Sequence, residues 1–177
     1  MKEIIKRKCF ISSCRKYRWA LDLDISPENK EIIFIGLNPS LSNENFTDNT
    51  TKKIIKISEN YKYGKVKIIN LFGLISRYPQ LLLRHKDPIG HLNNIFIHKS
   101  LRYWSKTSHC DLWLGWGNKG SIFDRNLNVI EILMEYFYFK ETKFIKPRPP
   151  LFIRKTKNNN PIHPLYCPDN SELVEYI

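Results

Sequence analysis

A short apolar run, Glu31-Ile-Ile-Phe-Ile-Gly-Leu37, does not alternate with polar positions. A strand covered on both faces has no reason to alternate, so the run predicts a buried parallel strand. It stops at Asn38-Pro39-Ser40, and residues 41–50 are polar and turn-rich. Ile54, Ile57 and Tyr61 recur at helical spacing and predict a helix over 51–61, with Gly64 as its stop. Lys65 to Leu71 reads as a second strand and Asp111 to Trp116 as a third; Lys143 to Lys146 reads as a last one. Pro79 and Leu81 to Leu83 predict a short helix. Leu92, Ile95, Phe96 and Tyr103 predict one over about 91–105. Ser121 and Asp124 fit a capping box opening a helix that runs to about Tyr138. Beyond Pro147, Pro149 and Pro150 the chain is expected to be extended from Leu151 to Tyr166, with a turn at Asn158-Asn159-Asn160.

Strands separated by helices predict an α/β fold, with a mostly parallel central sheet of about four strands. In such folds ligands bind beyond the carboxyl ends of the strands. That rule selects Asn38-Pro39-Ser40, then Asn70 and Phe72, then Trp116-Gly117-Asn118 as places for chemistry.

Composition narrows the class. The chain has 177 residues, 42% of them hydrophobic and 13% aromatic, which suits one folded domain spanning 1–177 and excludes intrinsic disorder. No run approaches the roughly 18 apolar residues of a membrane span. The charged start, Met1 to Lys8, is not followed by the apolar run of a secretory signal. The four cysteines, at 9, 14, 110 and 167, match neither a paired metal motif nor a dense disulfide framework. Reduced thiols in a cytoplasmic protein are expected, with no membrane partner, no metal and no cofactor. Oligomeric state is not legible.

The formal charge is +12, and its placement matters more than its size. Residues 1–20 carry a net +6, including Arg15 and Arg18, and residues 140–157 carry another +6, including Arg154, Lys155 and Lys157. Two basic segments so separated fit a polyanion partner, because neutralised phosphates release counterions. A lysine-rich surface without a partner is the alternative.

Gly115-Trp116-Gly117-Asn118-Lys119-Gly120 matches the dinucleotide pattern GxGxxG. It follows the third predicted strand rather than the first and holds a bulky Trp116, so it is not read as a dinucleotide site. His163 stands between prolines in Pro161-Ile162-His163-Pro164-Leu165-Tyr166, where the backbone is held extended and the ring can be aimed.

An ordered set of motifs now becomes legible: Cys14-Arg15-x-Tyr17-Arg18, Leu37-Asn38-Pro39-Ser40, Asp48-x-Thr50, Tyr63-Gly64, Asn70-Leu71-Phe72, Asp87-Pro88-x-Gly90-x-x-Asn93, Trp116-Gly117 and Pro161-x-His163-Pro164-Leu165-Tyr166. The set resembles the bacterial and phage family called domain of unknown function 1643. A more distant resemblance links Gly36-Leu37-Asn38-Pro39, Ile69-Asn70, Trp116-Gly117 and His163-Pro164 to the uracil-DNA glycosylase superfamily. That resemblance implies a three-layer sandwich and a base-binding pocket. It implies that Asn38 positions water, Asn70 reads a base edge, and His163 stabilises negative charge on a leaving base. Phe46 is a loose match to the stacking aromatic. Pro39, Ser40, Asp48, Phe72, Trp116, Gly117, Asn118 and Tyr166 complete the expected substrate-binding set. Arg15, Arg18, Arg154, Lys155 and Lys157 are expected on nucleic acid, DNA before RNA.

The functional expectation is recognition or excision of a base by N-glycosidic cleavage. The alternatives are an inactive binding module of the same fold, for nucleic acid or protein, and an enzyme on free nucleotides or nucleosides.

Overall fold

The computed structural model describes residues 5–40, 42–43, 45–139 and 148–176. Strands β1 (Lys6–Ile11), β2 (Arg18–Asp24), β3 (Glu31–Gly36), β4 (Lys65–Asn70), β5 (Cys110–Leu114), β6 (Leu151–Phe152) and β7 (Val174–Glu175) form one sheet in the order β1-β2-β4-β3-β5-β6-β7. Neighbours β4, β3, β5 and β6 pair in parallel, and the β1/β2, β2/β4 and β6/β7 pairs are antiparallel. Among the described residues the sheet is therefore mixed and has seven strands, where about four mostly parallel strands are expected from the sequence. The strand expected over Lys143–Lys146, and the basic residues Lys140, Lys143 and Lys146, lie outside the described residues.

The absence of alternation in β3 has the expected cause. Ile33 and Ile35 join one core with Ile97, Leu101 and Trp104, while Ile32 and Phe34 join another with Ile54, Ile55 and Ile57. The first core is covered by α2 (Asn93–Trp104) and α3 (Arg125–Met134), the second by α1 (Asn49–Asn60). The sheet is thus sandwiched between helical layers. Helix α1 starts where the Asp48 side chain accepts from the Thr51 amide. Past its end, Gly64 meets the chain after β2: a Cβ there would lie 1.8 Å from the Glu28 carbonyl oxygen, so only glycine fits.

Two expectations fail locally. Ser121 and Asp124 make no capping box: the Ser121 hydroxyl donates to the Asn118 carbonyl, and Asp124, in the left-handed region, gives α3 no side-chain cap. A 3₁₀ segment, Asn118–Asp124, precedes α3, and a π-type turn, Glu135–Phe139, follows it. The backbone kinks at Phe123 and Asp124 (φ 54° and 52°), so the helical periodicity of this stretch spans three segments rather than one.

Candidate functional site

The chain leaves β3 toward α1 on one face of the sheet and leaves β5 toward α3 on the other. Adjacent strands whose connections part to opposite faces open a crevice at their carboxyl ends. There the structure has a cleft of about 640 Å³, bordered by Asn38, Ser40, Arg77, Trp116, His163 and Tyr166 among others. A smaller recess of about 30 Å³ borders Asn38, Ser40 and His163 as well, and adds Arg18, Asp48 and Asn70.

Asn38 is half-buried and anchored by its amide. Nδ2 donates to the carbonyls of Ser76 (2.8 Å), Pro39 (3.0 Å) and Leu74 (3.4 Å), so the loop after β4 fixes the side chain. Its Oδ1 has no protein donor among the described residues, which leaves an oriented acceptor. Asn70 ends β4 and is 3% exposed, and its Nδ2 has no hydrogen-bond partner among the described residues. The strand end that carries it is fixed from behind: Asn93 Nδ2 donates to the Asn70 and Leu71 carbonyls, and Arg125 Nε donates to the Leu71 carbonyl. This gives Asn93 of the Asp87-to-Asn93 motif a structural role. In the same motif, the Asp87 carboxylate accepts from the Gly90 amide.

His163 Nδ1 accepts from the Leu165 amide at 3.4 Å, which puts the ring proton on Nε2. Burial pushes its pKa down to about 4, against a smaller upward pull from Asp48. The ring is therefore a neutral N–H donor at physiological pH. The turn Pro164–Tyr166 brings the Tyr166 ring to 6.0 Å from it, tilted by 62°, and leaves Tyr166 76% exposed at the rim. Asp48 loses water by burial, yet its carboxyl is held below the usual range by hydrogen bonds from Thr51 and Ser42. Arg18 is 3% exposed: Nη1 donates to the Ser42 carbonyl and Nε has no partner among the described residues. Burial pushes its pKa down.

Several expected residues stand elsewhere. Phe72 is fully buried in the core, because the chain at the end of β4 turns its ring inward under α2 and α3. Phe46 is half exposed and borders neither the cleft nor the recess. Pro39 is buried beside them and uses its carbonyl to hold Ser76. Arg18, expected on phosphate, is instead inside the recess, since β2 runs antiparallel to β4 and begins beside the same strand ends. Arg15 is exposed in the β1–β2 turn at φ 56° and borders neither space. Arg154, Lys155 and Lys157 are exposed on the loop whose Thr156 borders the cleft.

Trp116, Gly117 and Asn118 line the cleft. The glycines of GxGxxG serve packing there. A Cβ on Gly115 would lie 2.5 Å from Phe34 and one on Gly120 2.1 Å from Trp116, while Gly117 has φ 71°. The sequence reading missed Ser76, Arg77 and Lys119, which border the cleft. The strand-end rule applied to the whole loop after the second strand would have found the first two.

Fold and site define an α/β protein with a cleft, bordered by Arg77 and Lys119, at the carboxyl ends of its parallel strands. The chain belongs to the family described as protein of unknown function (DUF1643), whose profile matches residues 18–165. No curated relative and no solved structure matches it. Among the described residues no group of three metal-ligating side chains occurs, and no helix is long and apolar enough to cross a membrane.

Proposed function

We propose that the cleft holds a base of nucleic acid, and that the site cleaves the N-glycosidic bond joining that base to its sugar. The observation that carries this reading is the Asn70 amide nitrogen, a buried donor without a partner among the described residues, in the recess that His163 with its neutral N–H also borders. An unmet buried donor costs about 1–3 kcal/mol, and a base edge entering the recess would satisfy it. The recess is too small for a ring, so the ring would lie in the cleft against Trp116 and Tyr166 with one polar edge inward. Extruding a base from a stack costs a few kcal/mol, which stacking on Tyr166 and phosphate contacts from Arg77 and Lys119 would offset.

The chemistry is dissociative. The C–N bond breaks with its electron pair going to the base nitrogen, and His163 Nε2–H donates to the departing base. Water oriented by Asn38 Oδ1 adds to the sugar cation and releases a proton to solvent, from which the base anion takes one up. Purified protein incubated with oligonucleotides carrying uracil, hypoxanthine or a phage-type modified base should leave alkali-labile abasic sites. No base release from any of them ends the catalytic reading.

A second reading, a binding module of the same fold, is favoured by one observation: no Asp or Glu is among the described residues that border the cleft. It predicts salt-dependent binding of the same oligonucleotides without release.

A further inference from the structure

Two side chains at the recess are buried with an unmet donor, and they differ in what they can read. Asn70 carries an amide, which has an acceptor as well as donors and can turn to suit an edge. Arg18 has N–H groups and no acceptor. It is 3% exposed, and its Nε has no hydrogen-bond partner among the described residues. It stands at the start of β2, where its backbone amide donates to the Gly73 carbonyl (2.9 Å) and its Nη1 to the Ser42 carbonyl. These bonds tie the residue to the loops that follow β4 and β3. Charge decides what kind of acceptor the recess takes. The Asp48 carboxylate borders it too, engaged by Thr51 and Ser42 and kept ionised by those bonds. His163 is neutral. Among the described residues Arg18 and Asp48 therefore balance, and a phosphate or carboxylate would bring surplus negative charge beside Asp48. The volume, about 30 Å³, is the share of one water in the liquid, room for one exocyclic oxygen and not for a phosphate. A carbonyl oxygen offers two lone pairs and adds no charge.

We propose that Arg18 sets which bases the site takes: the recess admits an edge that ends in a carbonyl oxygen and refuses one that ends in an amino group. This deepens the base-binding reading above and rests on it, though not on the bond cleavage. The oxygen of an oxo base would accept from the guanidinium, in a charge-assisted bond stronger than a neutral one. An amino group in the same place would set hydrogens against hydrogens. It would leave the Arg18 donor buried and unmet, because the base edge also shuts out water. The Asn70 amide cannot impose that choice, since it can present its oxygen instead. Asn38 Oδ1 serves the attacking water in the reading above, and the hydroxyls of Ser40 and Thr50 turn to suit either partner. The ligand class is thus an oxo base, purine or pyrimidine, rather than an amino base.

The test is the Kd of the full chain for a short single-stranded DNA whose central position carries uracil, cytosine, hypoxanthine, adenine or no base. A 2′-fluorinated, uncleavable sugar at that position keeps the base in place. In at least one pair, uracil against cytosine or hypoxanthine against adenine, the wild type should bind the oxo member about 30-fold or more tightly. Arg18→Gln and Arg18→Met should each cut that ratio about tenfold or more, Gln because its amide oxygen can accept from the amino group. Their Kd for the abasic strand should stay within about 3-fold of wild type. A merely structural Arg18 would weaken binding of every strand alike and leave the ratio in place. The assignment is overturned by a wild type without oxo preference in either pair, or by a ratio within about 3-fold of wild type in either folded variant. A loss that extends equally to the abasic strand also overturns it and puts Arg18 on a phosphate. Should neither variant fold, the wild-type ratio alone decides. The glycosidic reading survives each of these results if the wild type still releases base. Bases held no more tightly than the abasic strand remove the base-binding reading and the assignment together.

Discussion

The two ends of the parallel strands use polar groups in opposite ways. At the amino ends the charges meet each other. Asp111, 4% exposed, accepts from Tyr63 and contacts Arg148 (2.8 Å) and Lys30 (3.5 Å), while Glu31 accepts from Lys65 (3.1 Å) and Tyr103 (2.8 Å). Burial, with the bond to Glu31, pushes the Tyr103 hydroxyl up to about 12. A groove of about 120 Å³ lies among these pairs, but its Lys65 and Lys67 are already matched to Glu31 and Asp22. At the carboxyl ends the groups are held just as firmly, yet their working atoms are left over. Asn70 Nδ2 and Arg18 Nε are two of the eight buried side-chain atoms without a partner among the described residues, and their side chains border the same recess. A groove is therefore not a site because it is polar or concave; among the described residues, unmet hydrogen bonds distinguish this recess from that groove.

That contrast breaks most visibly through stability. Asp111→Ala removes the buried partner: Arg148 and Lys30 stay in contact with water at 45% and 37% exposed, and the main cost is the Tyr63 hydroxyl left without its acceptor, about 1–3 kcal/mol. The variant should therefore lower the melting temperature by about 5 °C, at about 2–4 °C per kcal/mol, with oligonucleotide affinity per folded molecule unchanged. A drop of less than about 3 °C would show that the amino-end pairs are not what holds that end.

The carboxyl end should answer to pH instead. His163 has its folded pKa depressed to about 4, below the unfolded value of about 6.5. The unfolded chain therefore takes up this proton first as pH falls. The stability the group contributes is complete above about pH 6.5 and lost between there and about 4, by up to about 3 kcal/mol. Urea unfolding at pH 7 and pH 4 should show this loss in the wild type and not in His163→Gln. Equal losses in both would mean that the ring is not buried in solution.

Asn70→Leu sharpens the comparison, because its two effects have opposite signs. Replacing an unsatisfied buried amide should leave stability unchanged or raise it by about 1 kcal/mol, while oligonucleotide affinity falls about tenfold or more. Loss of both together would make Asn70 a structural residue. The smallest effect is at the rim. Tyr166→Ala should shift the melting temperature by about 1 °C or less, as an exposed substitution does. Affinity should drop by the about 1–3 kcal/mol of one stacked base.

Much of this contrast is legible in the sequence, and the rest fails for physical reasons. The unalternating run Ile32–Ile35 announces a strand buried on both faces, and the breaks at Asn38, Asn70 and Trp116 mark the strand ends where the cleft lies. Strand β2 escapes notice because Arg18, Asp22 and Asp24 interrupt its apolar positions and read as a charged segment. Burial of Arg18 cannot be inferred from local pattern, since an arginine in a basic stretch belongs on the surface unless tertiary structure closes over it. Phe72 misleads in the opposite sense: it follows the strand end that carries Asn70, but the chain turns and packs its ring inward. The pairing of Asp111 with Tyr63, Lys30 and Arg148 joins four separate stretches of chain, and no spacing announces it.

The central claim is that the carboxyl-end recess is where a base edge enters. The most direct measurement is a nitrogen-15 NMR titration of the full chain with a single-stranded DNA 15-mer carrying one central uracil, at low salt. The Asn70 side-chain amide and the His163 ring nitrogens should shift together and saturate together. The signals of Lys65 and Tyr103 at the amino end should stay in place. Movement at the amino end with Asn70 and His163 unchanged, or no movement anywhere, contradicts the account.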